Sequence, residues 1–91
     1  ELKGKLLANP DVRREYEAFA LEHEIAAAVI RARIAAGLTQ RELAERMGTA
    51  QSFVAKLEVG RTLPSTATLA KVAEATGTRP HFELVAIKAA A

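Results

Sequence analysis

Four glycines, Gly37, Gly48, Gly60 and Gly77, follow stretches with helical spacing and set the lengths of the segments between them. A glycine just beyond a helix readily takes the left-handed backbone conformation that ends it, so each of these glycines predicts a helix stop. The segments between the stops are short. The chain is therefore expected to fold mainly as short helices.

The segment that ends at Gly48 also carries a start signal. Thr39 and Glu42 have the spacing of a capping box, in which the hydroxyl accepts a hydrogen bond from the N–H of Glu42 and the carboxylate accepts one from the N–H of Thr39. Thr49 is placed to cap a second short helix, over about residues 50–59. Two short helices joined by a tight glycine-containing turn are the helix-turn-helix pattern. The inward face of the second helix is predicted to be Phe53, Val54 and Leu57.

A longer helical pattern precedes this pair. Asn9 and Pro10 form a start signal and Gly37 a stop, so the sequence predicts helix over about residues 11–37, in one piece or two. Apolar residues spaced by three and four indicate one helical face. They are Tyr16, Phe19, Ala20, Ile25, Val29, Ala32 and Ala36.

The last part of the chain combines a helix with an alternating segment. Ser65 is the predicted cap of a fourth helix that runs to Thr76, and beyond Pro80 a period of two predicts a strand. A lone strand is not stable in water, and the rest of the chain offers no second strand. We therefore expect pairing with a second copy or with another protein. The dimer strand is assigned to Phe82, Leu84, Val85, Ala86 and Ile87.

Composition narrows the class of protein. The chain has 91 residues, 49% of them apolar, which suits one globular domain. With no cysteine and two histidines, we expect no disulfide, no metal site and no cofactor. No catalytic residues are assigned, because no nucleophile neighbours the histidines and no glycine-rich phosphate loop is present. The longest aliphatic run, residues 25–30, is too short to span a bilayer and no signal peptide precedes it, which predicts a cytoplasmic protein.

Residues 37–60 resemble the helix-turn-helix of the Cro and phage-repressor class, the XRE family. The resemblance is carried by a Thr-Gln-x-x-Leu-Ala start at Thr39, the mid-motif Gly48, a Gln-Ser pair at Gln51 and a Leu-Glu-x-Gly ending. Ala50 departs from the pattern, because the family often has a polar residue there.

The resemblance implies an all-α fold. Its expected parts are a five-helix lambda-repressor-like helix-turn-helix domain at residues 25–77, an N-terminal helical arm at residues 1–24, and a C-terminal β-strand and tail at residues 78–91. It also implies a homodimer that binds double-stranded DNA at a palindromic operator.

The family's recognition helix lies in the major groove, and donors at the N-terminus of the preceding helix hold phosphates. Carried over to this sequence, the predicted base contacts are Gln51, Ser52, Ala55 and Lys56. The predicted phosphate contacts are Thr39, Gln40, Arg41, Arg61 and Thr62. Without the surrounding motif, such side chains would indicate only a solvated surface. The motif around them favours DNA contacts instead. Arg33 and Glu58 match a structural ion pair that orients the recognition helix.

Residues 9–19, which lead into the helical pattern at residues 25–36, and the closing residues 82–87 resemble segments of HigA-type antitoxins of bacterial type II toxin-antitoxin modules. This implies a protein that neutralises a RelE/HigB-like mRNA-cleaving toxin and represses its own operon as a dimer. Such toxins are basic because they bind RNA, and residues 1–24 carry a net charge of −2. The expected toxin contacts are Asp11, Glu15, Tyr16, Glu17, Phe19 and Glu22. The alternative for Tyr16 and Phe19 is that they pack on the domain's own core.

The sequence thus predicts a DNA-binding antitoxin. One alternative is a stand-alone transcriptional regulator of the XRE family that has no toxin partner. The other is an interaction adaptor that has kept the fold and lost DNA binding.

Overall fold

The computed structural model describes residues 8–87, and all regular secondary structure in that part of the chain is helical. Four complete helices follow one another in it: α1 (Pro10–Ala35), α2 (Gln40–Met47), α3 (Gln51–Val59) and α4 (Thr66–Thr76). Predictions that concern residues 1–7 and 88–91 lie outside the described residues. None of the helices in the described residues is long and apolar enough to cross a membrane.

α1 is one helix, where the sequence allowed one piece or two. Its predicted start is confirmed, because the Asn9 side-chain oxygen accepts a hydrogen bond from the N–H of Asp11 at 2.9 Å. Its predicted stop is also confirmed, because Gly37 has φ +72° and its N–H donates to the Ile34 carbonyl at 2.9 Å. The helix runs without a break through residues 24 and 25. The expected boundary between arm and domain therefore falls inside one helix.

α2 and α3 begin differently. The capping box of α2 is confirmed: the N–H of Glu42 donates to Thr39 Oγ1 at 3.0 Å, and the N–H of Thr39 donates to Glu42 Oε1 at 2.9 Å. The prediction that Thr49 caps α3 is wrong. Thr49 belongs to the end of α2, because its N–H donates to the Ala44 carbonyl at 2.9 Å. The N-cap of α3 is Ala50, whose methyl group cannot accept a hydrogen bond.

The helices enclose one core, in which both α1 and α2 pack against α3 and α4. Leu43 of α2 and Val54 of α3 are fully buried in it. The predicted inward position of Phe53 is wrong, since this side chain is 39% exposed. Val54 and Leu57 take the inward direction, and the helical turn carries Phe53 to the side. The other buried members of the core are Val29, Leu38, Ala44, Met47, Val72 and Ala75.

The C-terminal part departs most from expectation. α4 begins at the predicted cap, where the N–H of Thr68 donates to Ser65 Oγ at 3.1 Å. Residues 78–87, however, form neither strand nor helix, so the expected dimer strand is not present in the single chain. A strand needs a partner for its backbone N–H and C=O groups, and residues 8–87 contain no other strand. Within residues 8–87 there are four complete helices, so the expected fifth helix is not shown there, and the arm and the first domain helix are continuous in α1.

Candidate nucleic-acid interface

One face of α3 is polar and open to solvent. Gln51, Ser52 and Lys56 are exposed and Ala55 is half-buried, whereas Val54 points into the core. Helix positions spaced by one, four and five lie on the same side, so the four predicted base-contact residues are brought together. This face presents carboxamide, hydroxyl and ammonium groups, which can hydrogen-bond to the edges of bases.

The predicted phosphate contacts form two groups. One group is the N-terminus of α2, where the first backbone N–H groups of a helix have no partner within the helix. The other is the loop after α3, where Thr62 lines a shallow cleft together with Lys56 of the polar face. Exposed members of the two groups are Thr39, Arg41 and Arg61, and half-buried members are Gln40 and Thr62.

An ion pair fixes α3 against α1. Arg33 Nε donates to Glu58 Oε2 at 2.7 Å, and a terminal guanidinium nitrogen donates to Glu58 Oε1 at 3.0 Å. The other terminal nitrogen donates to the Leu38 carbonyl at 3.0 Å. The Arg33 side chain is 17% exposed and that of Glu58 only 5%. The hydrogen bond to Glu58 raises the pKa of Arg33 above its ordinary value. The structure therefore brings together the two residues that the sequence assigned to a structural pair.

Gln40 has a contact that sequence reasoning missed. Its Nε2 donates to Glu58 Oε1 at 3.0 Å, so the first residue of α2 is bonded to α3. No local pattern could have revealed this bond, because the two residues are 18 positions apart and lie on different helices. The resemblance assigned Gln40 a phosphate contact only.

The residues expected to contact a toxin lie along the N-terminal half of α1. Tyr16 is 45% exposed and Phe19 is 54% exposed, and neither belongs to the core, so the alternative that they pack on the domain's own core does not describe this structure. The Phe19 ring lies 4.1 Å from the ring of His23. Two ion pairs within the helix use part of its charge, Arg13 with Glu17 at 2.9 Å and Arg14 with Asp11. Glu15 is exposed and Glu22 is half-buried on the same segment.

Comparison with known proteins gives one positive result. Neither the curated proteins nor the solved structures yielded a match. A protein-family model described as helix-turn-helix, HTH_3, matches residues 29–83, which is more than half of the chain.

The matched segment contains every predicted DNA contact together with Arg33 and Glu58, and it leaves out residues 10–28 of α1. It also contains α2 and α3, the two short helices of the motif, and all of α4. The chain therefore belongs to this helix-turn-helix family of DNA-binding regulators.

Proposed function

We propose that this chain is a sequence-specific DNA-binding antitoxin. As a dimer it reads a palindromic operator with α3 and represses its own operon, and through the N-terminal half of α1 it binds a RelE/HigB-like mRNA-cleaving toxin. The observation that carries the DNA-binding part is the exposed polar face of α3, held to α1 by the pair of Arg33 and Glu58. Family membership supports the same part. The antitoxin part rests on the resemblance of the ends and on the exposed side chains of α1.

The chemistry of the α3 face fits reading in the major groove. The Gln51 carboxamide can donate to and accept from adenine, and the Lys56 ammonium can donate to the two acceptors of guanine. Ser52 can bond to either kind of edge, and the Ala55 methyl group can contact the methyl group of thymine. Three of these four side chains are exposed, so they need no rearrangement of the core to reach bases.

Phosphate contacts complete the interface. Arg41 and Arg61 supply positive charge, while Thr39, Gln40 and Thr62 supply uncharged donors. Binding through such contacts releases counterions from the duplex, and the affinity falls steeply as salt is added.

A dimer is supported by the apolar surface of the C-terminal part. Phe82 is 76% exposed, Leu84 86%, Val85 75% and Ile87 59%. Phe82 and Val85 also line a groove to which α1 and α4 contribute mostly apolar residues. Pairing of residues 82–87 with those of a second copy would satisfy the backbone groups along one edge of each segment and cover part of these side chains. The two α3 helices of such a dimer must lie about 34 Å apart to enter successive major grooves.

The N-terminal half of α1 combines features that suit contact with a basic protein. Tyr16 and Phe19 offer apolar area, and acidic residues stand beside them on the same helix. A helix that combines apolar anchors with charge opposite to that of its partner is a common docking element.

The DNA-binding part is tested by selection from a randomised duplex library with purified wild-type protein, followed by sequencing of the bound duplexes. We expect a palindrome whose half-sites are about 10 base pairs apart, centre to centre. Gln51→Ala is expected to select a palindrome that is relaxed at one position of each half-site. A library that shows no enrichment contradicts the DNA-binding function.

The antitoxin part is tested by affinity purification from the native host at high salt, with mass spectrometry of the retained proteins. High salt removes DNA, whereas an apolar protein contact survives. We expect a small basic protein to be retained by the wild type, lost with Phe19→Arg and retained with Leu63→Arg. Leu63 is a matched control because it is 53% exposed, like Phe19, and lies outside α1. Recovery of the protein alone, as a dimer, favours the stand-alone regulator.

A further inference from the structure

Glu58 is the point at which three parts of the domain are bonded together. It lies next to the last residue of α3 and accepts hydrogen bonds from Arg33 of α1 and from Gln40, the first residue of α2. Arg33 also holds the turn between α1 and α2 through the Leu38 carbonyl. The setting of α3 on the domain is therefore determined from two sides, by a guanidinium and by a carboxamide.

The carboxamide of Gln40 can serve two acceptors at once. A carboxylate has only acceptors, so the nitrogen of Gln40 faces Glu58, and this nitrogen carries two hydrogens. One hydrogen is used in the 3.0 Å bond to Glu58 Oε1. The other can be donated to a phosphate oxygen at the N-terminus of α2.

We propose that Gln40 is a positioning residue for base reading. Through its bond to Glu58 it fixes α3 relative to the phosphate-binding end of α2. The base-reading face of α3 therefore keeps its position relative to the bases when α2 binds the DNA backbone. This proposal rests on the proposed DNA-binding function. It differs from a phosphate contact in its consequence, since loss of a phosphate contact weakens binding to all sequences alike, whereas loss of the setting of α3 weakens binding to the preferred sequence most.

The test uses Gln40→Met, which keeps the length of the side chain and removes both of its donors. The control is Arg41→Ala, because Arg41 is the next residue of α2, is exposed, and is a predicted phosphate contact. For each protein, Kd is measured on the duplex that the wild type selects from a randomised library and on a scrambled duplex of the same composition. All measurements are made well below the unfolding temperature of each variant.

For Gln40→Met we expect the preference for the selected over the scrambled duplex to fall about 2–12-fold, which corresponds to one hydrogen bond. For Arg41→Ala we expect both affinities to fall together and the preference to stay unchanged. In the free protein, NMR spectra of Gln40→Met should show shifted amide signals in α3, and those of Arg41→Ala should leave the α3 signals in place.

Three other outcomes would contradict the proposal. If Gln40→Met weakens both duplexes equally, Gln40 is a phosphate ligand and no more. If it changes neither affinity, Gln40 has no part in DNA binding. If the wild type selects no sequence at all, the proposed DNA-binding function fails and this inference fails with it.

Discussion

Two side chains of opposite charge, Arg33 and Glu58, meet where α1 packs against α3, and both are mostly shielded from water. A charge in such a place is tolerated because it is paired and hydrogen-bonded, and it becomes costly once the partner is removed. Gln40 adds a third hydrogen bond to the two that Arg33 donates, so the Glu58 carboxylate is held by two residues.

Removal of Arg33 tests this pair. Arg33→Ala leaves the Glu58 carboxylate with the Gln40 donor alone, and we expect a loss of about 3–5 kcal/mol in the free energy of unfolding. Thermal unfolding followed by circular dichroism measures the effect. Arg31→Ala is the control, because Arg31 is an exposed residue of the same helix. A melting temperature of Arg33→Ala equal to that of the wild type contradicts a structural role for the pair.

The capping box of α2 gives a pH-dependent prediction. The backbone N–H of Thr39, and then its side chain, lower the pKa of Glu42 below its ordinary 4.5. Because the pKa of Glu42 is lower in the folded state, its ionised carboxylate stabilises the fold fully above about pH 4.5. This stabilisation is lost as the pH falls through the pKa of the folded state.

Glu42→Gln isolates this contribution, since a glutamine can still bond to the N–H of Thr39 and does not titrate. We expect the wild type to melt higher than Glu42→Gln at about pH 7 and the difference to shrink by about pH 3. Glu45→Gln, on the exposed side of α2, is the control. A difference in melting temperature that stays constant with pH is the contrary result.

Local signals explain which residues could be predicted. The capping box, the Asn9 and Ser65 caps and the glycine stops depend on residues a few positions apart, so the sequence contains them in full. The prediction for Thr49 is wrong because this residue belongs to the turn that ends α2, where its N–H donates to the Ala44 carbonyl. The bond between Gln40 and Glu58 depends on tertiary packing, and no spacing rule covers it.

At the scale of elements, α3 is confined by the helices around it. It ends at Gly60, which is buried and has φ +82°, and a Cβ there would lie 3.4 Å from Ala26 Cβ and 3.5 Å from His23 Cα of α1. Gly77 also has a positive φ, +69°, but a Cβ at this residue would have no other atom within 4 Å. Substitutions at these two glycines therefore distinguish the cost of backbone strain from the cost of steric crowding.

We expect Gly60→Ala and Gly77→Ala to lose similar amounts, about 1–2 kcal/mol each, because both place a side chain in the left-handed region. Gly60→Leu is expected to lose clearly more than Gly77→Leu, because only at Gly60 does α1 stand in the way of the added atoms. Urea unfolding of the four variants measures this. Equal losses for the two leucine variants would show that α1 does not crowd the end of α3.

The boundaries of the helices could be predicted from the sequence only in part. The helix starts and stops of α1 were predictable, but the join at residues 24 and 25 was not, because apolar spacing on both sides fits one helix as well as two. The alternation in residues 82–87 is a real pattern, and the single chain offers it no strand to pair with. The strand expected to pair with these residues belongs to another chain, either a second copy or another protein.

At the scale of the whole molecule, the apolar tail predicts an interface between two copies. Leu84 is 86% exposed, and a charge at this position would be buried on pairing. We expect Leu84→Glu to convert a dimer into a monomer in sedimentation equilibrium. Ile34→Glu is the control, because Ile34 is 63% exposed on α1 and lies outside the tail. A dimer that persists in Leu84→Glu excludes the tail from the interface.

The proposed interface divides DNA binding between two elements, with base reading by α3 and phosphate contacts from the loop after it. The measurement that tests it most directly is the salt dependence of Kd for Lys56→Ala and Arg61→Ala on the selected and the scrambled duplex. Lys56→Ala should reduce the preference for the selected over the scrambled duplex, whereas Arg61→Ala should weaken binding to both duplexes alike and reduce the salt slope by about one. If the two variants change specific and non-specific binding in the same way, α3 and the loop do not have these separate roles.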